Sequence, residues 1–326
     1  MRATIVGAGV VGLTSAVTLA ERGAEVTLVE RSHDLGGNAS WLAGGMLAPF
    51  CEGESAPQSI VELGQGAIDW WSARVPGVVR KGTLVVALPR DVSEIDRFAA
   101  RTKSHARVDE ARIAELEPDL AGRFRKGLFF GGEGHLDPRV ALSALTDRLR
   151  ANGGQIRFGV DGDARGHADV VMDCRGWAAR EALPQLRGVR GEMMRIRSRE
   201  VTLTRAVRFL HPRIPLYIVP RADNEFMIGA TMIESAERGA VSVRSAIELL
   251  SAAYALHPAL GEAEILEMSA DVRPAYPDNE PRIEERDGRI FVNGMYRHGF
   301  LLAPAFAKRA AEMAFARAAA GRLIEA

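Results

Sequence analysis

The first thirty residues contain a glycine pattern that strongly restricts what the chain can fold into. An apolar segment over 3–6 leads into the Gly-x-Gly-x-x-Gly pattern of residues 7–12, and a second apolar segment ends on Glu30. The first glycine permits a tight turn, the second lets a pyrophosphate approach the backbone, and the third lets helix and strand pack closely. Glu30, 18 residues after Gly12, stands where a carboxylate can bind ribose hydroxyls. This order of elements predicts a dinucleotide site.

The composition limits the classes of partner. The chain has 326 residues, 47% of them hydrophobic, which is enough for one large domain or two interleaved domains. Its 42 basic and 42 acidic residues leave no basic surplus for nucleic acid and no cluster for a membrane surface. Cys51 and Cys174 make no disulfide framework, and no Cys/His group has metal-site spacing. We therefore expect a soluble, metal-free, cytoplasmic protein that binds neither nucleic acid nor membranes.

A glycine-rich passage over 35–49 follows the nucleotide unit. It has too many small residues for an amphipathic helix and too many apolar residues for a solvated loop. Backbone of this kind can lie directly against a flat ligand, although a tight packing segment between elements is an alternative. Further along, an apolar strand over 168–173 runs into Cys174-Arg175-Gly176. We expect a second backbone segment to meet the dinucleotide there.

The rest of the pattern predicts an α/β protein with two interwoven domains. Long alternating segments between 188 and 231 are typical of an antiparallel sheet, which would be inserted into the nucleotide-binding domain. We assign 1–78, 127–187 and 270–326 to the nucleotide-binding domain and 79–126 and 188–269 to the inserted substrate domain. A cleft between two such domains is a usual place for small-molecule chemistry.

Apolar periodicity predicts helices over 59–74, 91–107 and 242–256, among others. The third of these helices has apolar residues at helical spacing, and we expect that face to pack on the core. The residues of this face are Val243, Ile247, Leu250 and Tyr254.

No motif of the chain supplies a protein nucleophile. Gly-x-Ser-x-Gly, paired carboxylates in one motif and a Cys–His arrangement are all absent from the sequence. Arg273 lies at the end of a predicted strand, before a turn that contains proline, and Arg297 lies between glycines, before a long helix. In a cleft, the guanidinium group of either residue could bind a carboxylate through two parallel hydrogen bonds. By position alone, a surface or interdomain ion pair is the favoured interpretation of each arginine, and a core aromatic is the favoured interpretation of Tyr217. Any reactivity should then come from a cofactor, with protein groups positioning the substrate.

These motifs together resemble the flavin-dependent amine and D-amino acid oxidase family, and within it the branch that oxidises glycine for bacterial thiamin biosynthesis. The resemblance spans essentially the full length. Its most specific parts are Ala43-Gly44-Gly45-Met46-Leu47-Ala48-Pro49 and the stretch from Arg297 to Pro304. The segments around Tyr217 and Arg273 add to it.

The resemblance implies a Rossmann-type domain that holds FAD without a covalent link, since no cysteine follows Cys174. The flavin ring would lie over residues 43–46, and the turn over 294–301 would face its pyrimidine end. Arg273, Arg297 and Tyr217 match substrate-binding residues of the family. The FAD-binding residues implied are Gly7, Gly9, Val10, Val11, Gly12, Glu30, Arg31, Ala43, Gly44, Gly45, Met46, Cys174, Gly176, Gly294, Tyr296, His298, Gly299, Phe300 and Leu301.

The implied activity is oxidation of a small amino acid, glycine above all, to its imine, with O2 reduced to H2O2. No side-chain base is required if the amine is neutral when it binds. The imine would be handed to a thiazole-forming enzyme or hydrolysed to glyoxylate, and a homo-oligomer is one expectation for the assembly. Two other functions stay open: a flavin-dependent amino acid dehydrogenase that uses an acceptor other than O2, and a nucleotide-binding protein without turnover.

Overall fold

The computed structural model describes residues 1–161, 168–211 and 215–324. The helices of these residues are α1 (Val10–Glu21), α2 (Pro49–Glu52), α3 (Gln58–Gly64), α4 (Ala67–Ser72), α5 (Ser93–Arg101), α6 (Glu110–Leu116), α7 (Pro138–Ala151), α8 (Val243–Leu256) and α9 (Gly299–Ile324). The strands are β1 (Arg2–Val6), β2 (Glu25–Glu30), β3 (Met46–Leu47), β4 (Thr83–Ala87), β5 (Ala106–Asp109), β6 (Lys126–Phe130), β7 (Gly134–His135), β8 (Gln155–Phe158), β9 (Val170–Asp173), β10 (Arg187–Arg197), β11 (Ala206–Leu210), β12 (Leu216–Pro220), β13 (Glu225–Gly229), β14 (Ile233–Glu234), β15 (Glu264–Ala275), β16 (Arg282–Arg286) and β17 (Arg289–Asn293).

The first sheet carries the predicted nucleotide unit. Its six strands follow the order β16-β17-β9-β1-β2-β8, and all neighbours are parallel except the pair β16 and β17. Helix α1 packs against α7 and α9 over a core that includes the fully buried Leu13, Leu142 and Leu302. Because β9, β1 and β2 are parallel, their carboxyl ends meet at one edge of the sheet, which is where open α/β sheets bind ligands.

The second sheet has nine strands. Eight follow the order β14-β10-β13-β12-β11-β4-β6-β5, and β15 pairs along most of β10. The pairs are antiparallel except for β11 and β4. Alternating side chains such as Phe209, Ile218 and Ile228 are buried under α8, as expected for a half-buried antiparallel sheet. This sheet delivers β12 and β15, which carry Tyr217 and Arg273, to the same region as the nucleotide unit.

The predicted α/β class, with a Rossmann-type unit and an antiparallel substrate sheet, is confirmed. The predicted domain boundary at residue 127 assigns most of β6 to the nucleotide-binding domain, whereas β6 pairs with β4 and β5 in the nine-stranded sheet. Likewise β15 stays paired with β10 to Ala275, beyond the predicted boundary at 270. In the described part of the chain, no helix combines the length and apolar character that crossing a bilayer requires.

Two predicted helices are shorter than their periodicity indicates. The helix predicted over 59–74 is divided into α3 and α4, with Gln65 and Gly66 between them. The helix predicted over 91–107 ends at Arg101, and the chain then forms β5. Both stretches are amphipathic with helical spacing, but the edge of the nine-stranded sheet accepts the end of the second stretch as a strand, and tertiary pairing overrides local propensity.

The buried face of α8 was predicted wrongly except at Leu250, which is partly buried and packs against the core. The side chains of Val243, Ile247 and Tyr254 are 77%, 60% and 58% exposed. The helix instead buries Leu249, Ala252, Ala253 and Leu256 against the sheet. Ser242 caps the N-terminus by accepting a hydrogen bond from the amide of Ser245 at 3.2 Å. Both faces of this helix carry apolar residues, so the spacing alone did not identify the face that packs.

This difference predicts opposite costs for truncation on the two faces of α8. Leu249→Ala should lower the free energy of unfolding by about 2–4 kcal/mol, because it leaves a cavity in the core. Ile247→Ala should change it by less than about 0.5 kcal/mol, because the side chain is exposed. Urea unfolding followed by circular dichroism measures both. An equal or larger loss in Ile247→Ala would show that this face is buried in the working protein.

Candidate functional site

A cavity of about 930 Å³ lies where the two sheets meet. On one side it is lined by the ends of β1 and β2 and by the residues after β9; on the other it is lined by β10, β12 and β15. The first turn of α9 and the glycine-rich passage complete its wall. Most of the predicted site residues therefore come together. Those that line the cavity are Gly7, Gly9, Val10, Val11, Glu30, Arg31, Ala43, Gly44, Gly45, Met46, Cys174, Gly176, Tyr217, Arg273, Tyr296, Arg297, His298, Gly299, Phe300 and Leu301.

Two predicted cofactor contacts, Gly12 and Gly294, do not line the cavity. A Cβ at Gly12 would lie 1.8 Å from the carbonyl oxygen of Gly7, so this glycine lets α1 pack on the preceding turn. Gly294 has a φ of +80°, and a Cβ there would lie 2.3 Å from the ring of Tyr276. Both glycines therefore permit close packing behind the cavity.

The nucleotide arm of the cavity offers donors and a held carboxylate. The amide of Ala8 donates to Oε2 of Glu30 at 2.7 Å, and the amide of Ser32 donates to Oε1 at 2.9 Å. These two bonds fix the carboxylate at the end of β2 and leave lone pairs on both oxygens for hydroxyl donors. Within the described residues, the amides of Gly9 and Val11 have no hydrogen-bond acceptor. Amides at the start of α1 are therefore free for an anionic group.

The glycine-rich loop lies against the inserted sheet. A Cβ at Gly44 would come within 2.6 Å of the Tyr217 ring, and one at Gly45 would come within 2.2 Å of the Leu136 carbonyl. The carbonyl of Gly44 accepts a hydrogen bond from Nη2 of Arg221 at 2.7 Å. These glycines thus permit close approach of protein atoms, which is the packing alternative, while the loop still forms one wall of the cavity.

Arg273 presents an uncompensated guanidinium to the cavity. Its Nη1 donates to the carbonyl of Thr231 at 3.1 Å, and among the described residues no carboxylate lies within ion-pair distance of it. The guanidinium lies across Gly191, where a Cβ would stand 2.2 Å from its Cζ. Burial lowers the pKa of Arg273, but arginine keeps its proton at neutral pH. A cation in this position can accept a carboxylate ligand.

Tyr217 lies beside this cation. A Cβ at Gly229 would come within 2.8 Å of its hydroxyl oxygen, so the ring fits between two glycines, Gly44 and Gly229. Burial raises the pKa of Tyr217, and the hydroxyl therefore stays protonated at neutral pH. It makes no hydrogen bond to a described residue and is free to donate one to a ligand that Arg273 holds.

Arg297 also lines the cavity, but its charge has a partner. Its Nε lies 2.9 Å from Oε2 of Glu52, and Nδ1 of His298 lies 3.3 Å from the same oxygen. The other carboxylate oxygen of Glu52 accepts from Nη2 of Arg208. One buried carboxylate thus gathers two arginines and a histidine at the wall of the cavity.

The charges in this group follow from burial and the arginines. Burial opposes ionisation of Glu52, yet Arg208 and Arg297 outweigh it and lower its pKa to about 2. Burial lowers the pKa of His298 to about 4, although Glu52 opposes this shift. At neutral pH the group therefore holds one carboxylate, two guanidinium groups and a neutral imidazole.

Four residues of this site were not identified from the sequence: Glu52, Arg208, Gly191 and Arg221. Glu52 follows the glycine-rich passage directly, but no motif marks it as a partner of residues far along the chain. Arg208 and Gly191 sit in ordinary alternating strands. Only the tertiary structure brings Glu52, Arg208 and Gly191 to the cavity and Arg221 to the carbonyl of Gly44.

The residues present fit FAD. Free amides at the start of α1 suit a pyrophosphate, and the carboxylate of Glu30 suits a ribose. At the other end of the cavity, residues 299–301 form the first turn of α9, whose amides have no intrahelical acceptor. A cavity with amide donors at both ends and apolar walls between them matches a long dinucleotide whose two ends are polar.

Comparison with known proteins gives concordant matches. The family model described as DAO, FAD dependent oxidoreductase, matches residues 2–313. A Rhizobium etli protein, whose name assigns it to thiamine biosynthesis as the oxidoreductase ThiO, is 56% identical to this chain, with 94% of each protein covered. The glycine oxidase of Pseudomonas aeruginosa is 28% identical, with 96% of this chain and 94% of that protein covered.

A solved structure shows the same fold. The crystal structure of glycine oxidase from Geobacillus kaustophilus superimposes with a TM-score of 0.80 at 24% identity. The match covers 96% of this chain and 95% of that one. The two chains therefore share their overall fold.

The buried neutral state of His298 predicts a specific pH dependence of stability. Below pH 6.5 the unfolded chain binds a proton on this histidine, but the folded protein does not until about pH 4. The free energy of unfolding should therefore fall as the pH drops from 6.5 to 4, by roughly 3 kcal/mol from this residue. His298→Asn should remove that part of the pH dependence.

Urea unfolding at pH 7 and pH 4.5 measures this difference between the wild type and the variant. The same change at the exposed His33 is the matched control and should leave the pH dependence of the wild type intact. If His298→Asn loses as much stability on acidification as the wild type, then His298 is not held neutral by the fold.

Proposed function

The chain belongs to the DAO family of FAD-dependent oxidoreductases, and on that premise we propose that it oxidises glycine to its imine. The observation that carries the choice of substrate class is the unpaired guanidinium of Arg273 facing the cavity. It favours a ligand with a carboxylate. The R. etli and P. aeruginosa relatives, whose names specify thiamine biosynthesis and glycine oxidation, support a small amino acid.

The reaction balances as follows. Glycine loses two electrons and two protons, one proton from Cα and one from nitrogen, and becomes the imine. O2 gains two electrons and two protons and becomes H2O2. The imine then takes up water and releases ammonia as glyoxylate forms. Bound FAD supplies the two-electron acceptor between substrate and O2. The chain itself contributes binding, orientation and exclusion of water.

Arg273 and Tyr217 are proposed to bind the substrate carboxylate. The guanidinium supplies two parallel donors and the opposite charge, and the hydroxyl of Tyr217 supplies a third donor. Gly191 leaves the guanidinium room to lie across β10, and the glycines around Tyr217 hold its ring. With three donors on one carboxylate, the rest of a small amino acid has a fixed direction in the cavity. Arg297, the third substrate contact that the resemblance implies, also lines the cavity, but its charge is paired with Glu52, so we do not propose it as a ligand of the carboxylate.

None of His298, Glu52 and Tyr217 is suited to remove a proton from the substrate amine. His298 is neutral but buried, and its Nδ1 faces Glu52. Glu52 is ionised, but it lies among cations that hold its pKa at about 2, which makes it a very weak base. Tyr217 is protonated. We therefore propose that the amine is neutral when it reacts and that its extra proton leaves to solvent.

The cofactor is proposed to be held without a covalent bond, by the residues predicted from the sequence other than Gly12 and Gly294. The chain has two cysteines, Cys51 and Cys174, and both are buried and free. Burial raises the pKa of Cys174, which also neighbours Asp173, and leaves it a poor nucleophile. Free thiols also suit the predicted cytoplasmic location.

The product is proposed to supply a thiazole-forming enzyme of thiamin biosynthesis, because the name of the R. etli relative assigns it to that pathway. The imine is hydrolytically unstable, so a direct hand-off would protect it from water. We also propose that the protein forms a homo-oligomer. The transfer of the imine and the oligomeric assembly are proposals separate from the oxidation of glycine.

Glycine oxidation predicts one H2O2 for each glycine consumed. Purified yellow holoprotein should bleach when glycine is added without O2 and should recover its colour when air is admitted. A peroxidase-coupled assay alongside glycine analysis gives the ratio. Bleaching followed by turnover only with an artificial acceptor would contradict the oxidase and identify an amino acid dehydrogenase; no bleaching with any small amino acid would contradict the substrate class.

Loss of the Arg273 charge should weaken substrate binding and spare the cofactor. Arg273→Met removes a charge-assisted carboxylate contact of about 3 kcal/mol, so KM for glycine should rise at least about a hundredfold. The flavin spectrum should be unchanged. Arg273→Lys keeps the positive charge but loses the two parallel donors of the guanidinium group. Its KM for glycine should therefore lie between those of the wild type and Arg273→Met. An unchanged KM in Arg273→Met would remove this residue from the site.

A further inference from the structure

Arg273 and Arg297 are two of the several arginines that line the cavity, and the protein treats these two differently. Arg273 has a single carbonyl acceptor and no carboxylate among the described residues. Arg297 lies against the buried carboxylate of Glu52, and its Nη2 also donates to Oγ of Ser55 at 2.6 Å. Both side chains line the cavity, and the two arginines differ in whether a carboxylate compensates their charge.

The two arginines lie close enough to address one small molecule. Nη1 of Arg273 binds the carbonyl of Thr231, and Nη1 of Arg297 lies 3.7 Å from the sulfur of Met232, the next residue. Besides burial, the charge of Arg297 lowers the pKa of Arg273, so the two guanidinium groups are close enough for one ligand to address both. If Arg297 were uncompensated, it would attract a second negative group on that ligand.

We propose that Glu52 determines the charge class of the substrate: by cancelling the charge of Arg297, it leaves Arg273 as the carboxylate-binding cation and makes the cavity select amino acids with one carboxylate over those with two. This inference rests on the proposed oxidation of a small amino acid. It adds a role for a residue that touches the substrate only through Arg297. Glu52 is thus a positioning residue.

The arrangement around Glu52 supports a compensating role. Its two oxygens face different arginines, Oε1 toward Arg208 and Oε2 toward Arg297. Arg208 has a second neighbouring carboxyl group, Glu133; burial raises the pKa of Glu133 to about 7, so at pH 7.5 this group is largely ionised and partly balances Arg208 when Glu52 is neutral. Arg297 has no other carboxylate within ion-pair distance among the described residues. Removing the charge of Glu52 therefore exposes Arg297 more than Arg208.

Binding of two inert ligands tests the proposal without turnover. Acetate carries one carboxylate and malonate carries two, and neither is oxidised as glycine is. Calorimetric titration of the holoprotein at pH 7.5 gives both dissociation constants. Glu52→Gln should improve malonate binding relative to acetate at least about tenfold over the wild type, whereas the wild type should prefer acetate. A relative affinity within twofold of the wild type would overturn the proposal.

Two further variants assign the effect to Arg297. In Glu52→Gln combined with Arg297→Met, the gain for malonate should disappear; its persistence would contradict a role through Arg297. Glu54→Gln is the matched control, because Glu54 is a carboxylate of the same cavity that pairs with Arg101 instead, at 2.9 Å. It should leave the ratio of affinities at the wild-type value. A tenfold gain in the affinity for malonate relative to acetate in Glu54→Gln would show that the effect follows from the net charge of the cavity, and this would contradict the proposal.

A variant that keeps Glu52 covers the case in which Glu52→Gln does not fold. Arg297→Met leaves Glu52 paired with Arg208, and because the charge of Arg297 is already cancelled, KM for glycine should rise no more than about fivefold. A rise as large as that of Arg273→Met would show that Arg297 binds the substrate carboxylate directly, and the proposal would fail.

Failure of the function is distinguishable from failure of this inference. If the wild type neither bleaches with small amino acids nor binds acetate, the proposed function is wrong. If the wild type oxidises glycine while Glu52→Gln keeps the wild-type preference for acetate, the role of Glu52 alone is wrong.

Discussion

The chemistry of the cavity depends on a buried carboxylate, Glu52, that neutralises one guanidinium and leaves another alone. A buried cation without a partner is costly, and proteins tolerate one mainly where a ligand completes it. Arg273 is such a cation, held over Gly191 with a carbonyl as its protein acceptor. Arg297 and Arg208 share Glu52. Because Glu52 compensates Arg297 and Arg208 but not Arg273, we expect a substrate carboxylate to bind at Arg273.

The two sheets supply the parts of this site separately. The parallel sheet brings the amides at the start of α1 and the carboxylate of Glu30 to its carboxyl edge. The antiparallel sheet brings Arg273 and Tyr217 across from that edge. The glycine-rich loop joins them, because Gly44 receives both the ring of Tyr217 and a hydrogen bond from Arg221. The proposed FAD and substrate sites thus share a wall.

Much of the nucleotide arm could be predicted from the sequence, because its donors and acceptor lie within 24 residues of one another, from residue 7 to Glu30, and obey local geometry. Arg273 needed the family resemblance, since an arginine at a strand end has several ordinary explanations. Glu52, Arg208 and Gly191 were not predictable, because their roles exist only as contacts between distant segments. The prediction of the buried face of α8 was wrong for a related reason. Apolar residues occur on both sides of the helix, and packing against the sheet determines which side is buried.

Direct observation of a carboxylate in the cavity tests the account most sharply. A crystal structure of the FAD-bound protein with acetate, which resembles glycine without its amine, should show the acetate carboxylate on the guanidinium of Arg273 and within reach of the Tyr217 hydroxyl. Glu52 should remain between Arg208 and Arg297. Acetate bound instead to Arg297, with Glu52 displaced, or Arg273 turned toward solvent, would contradict the account.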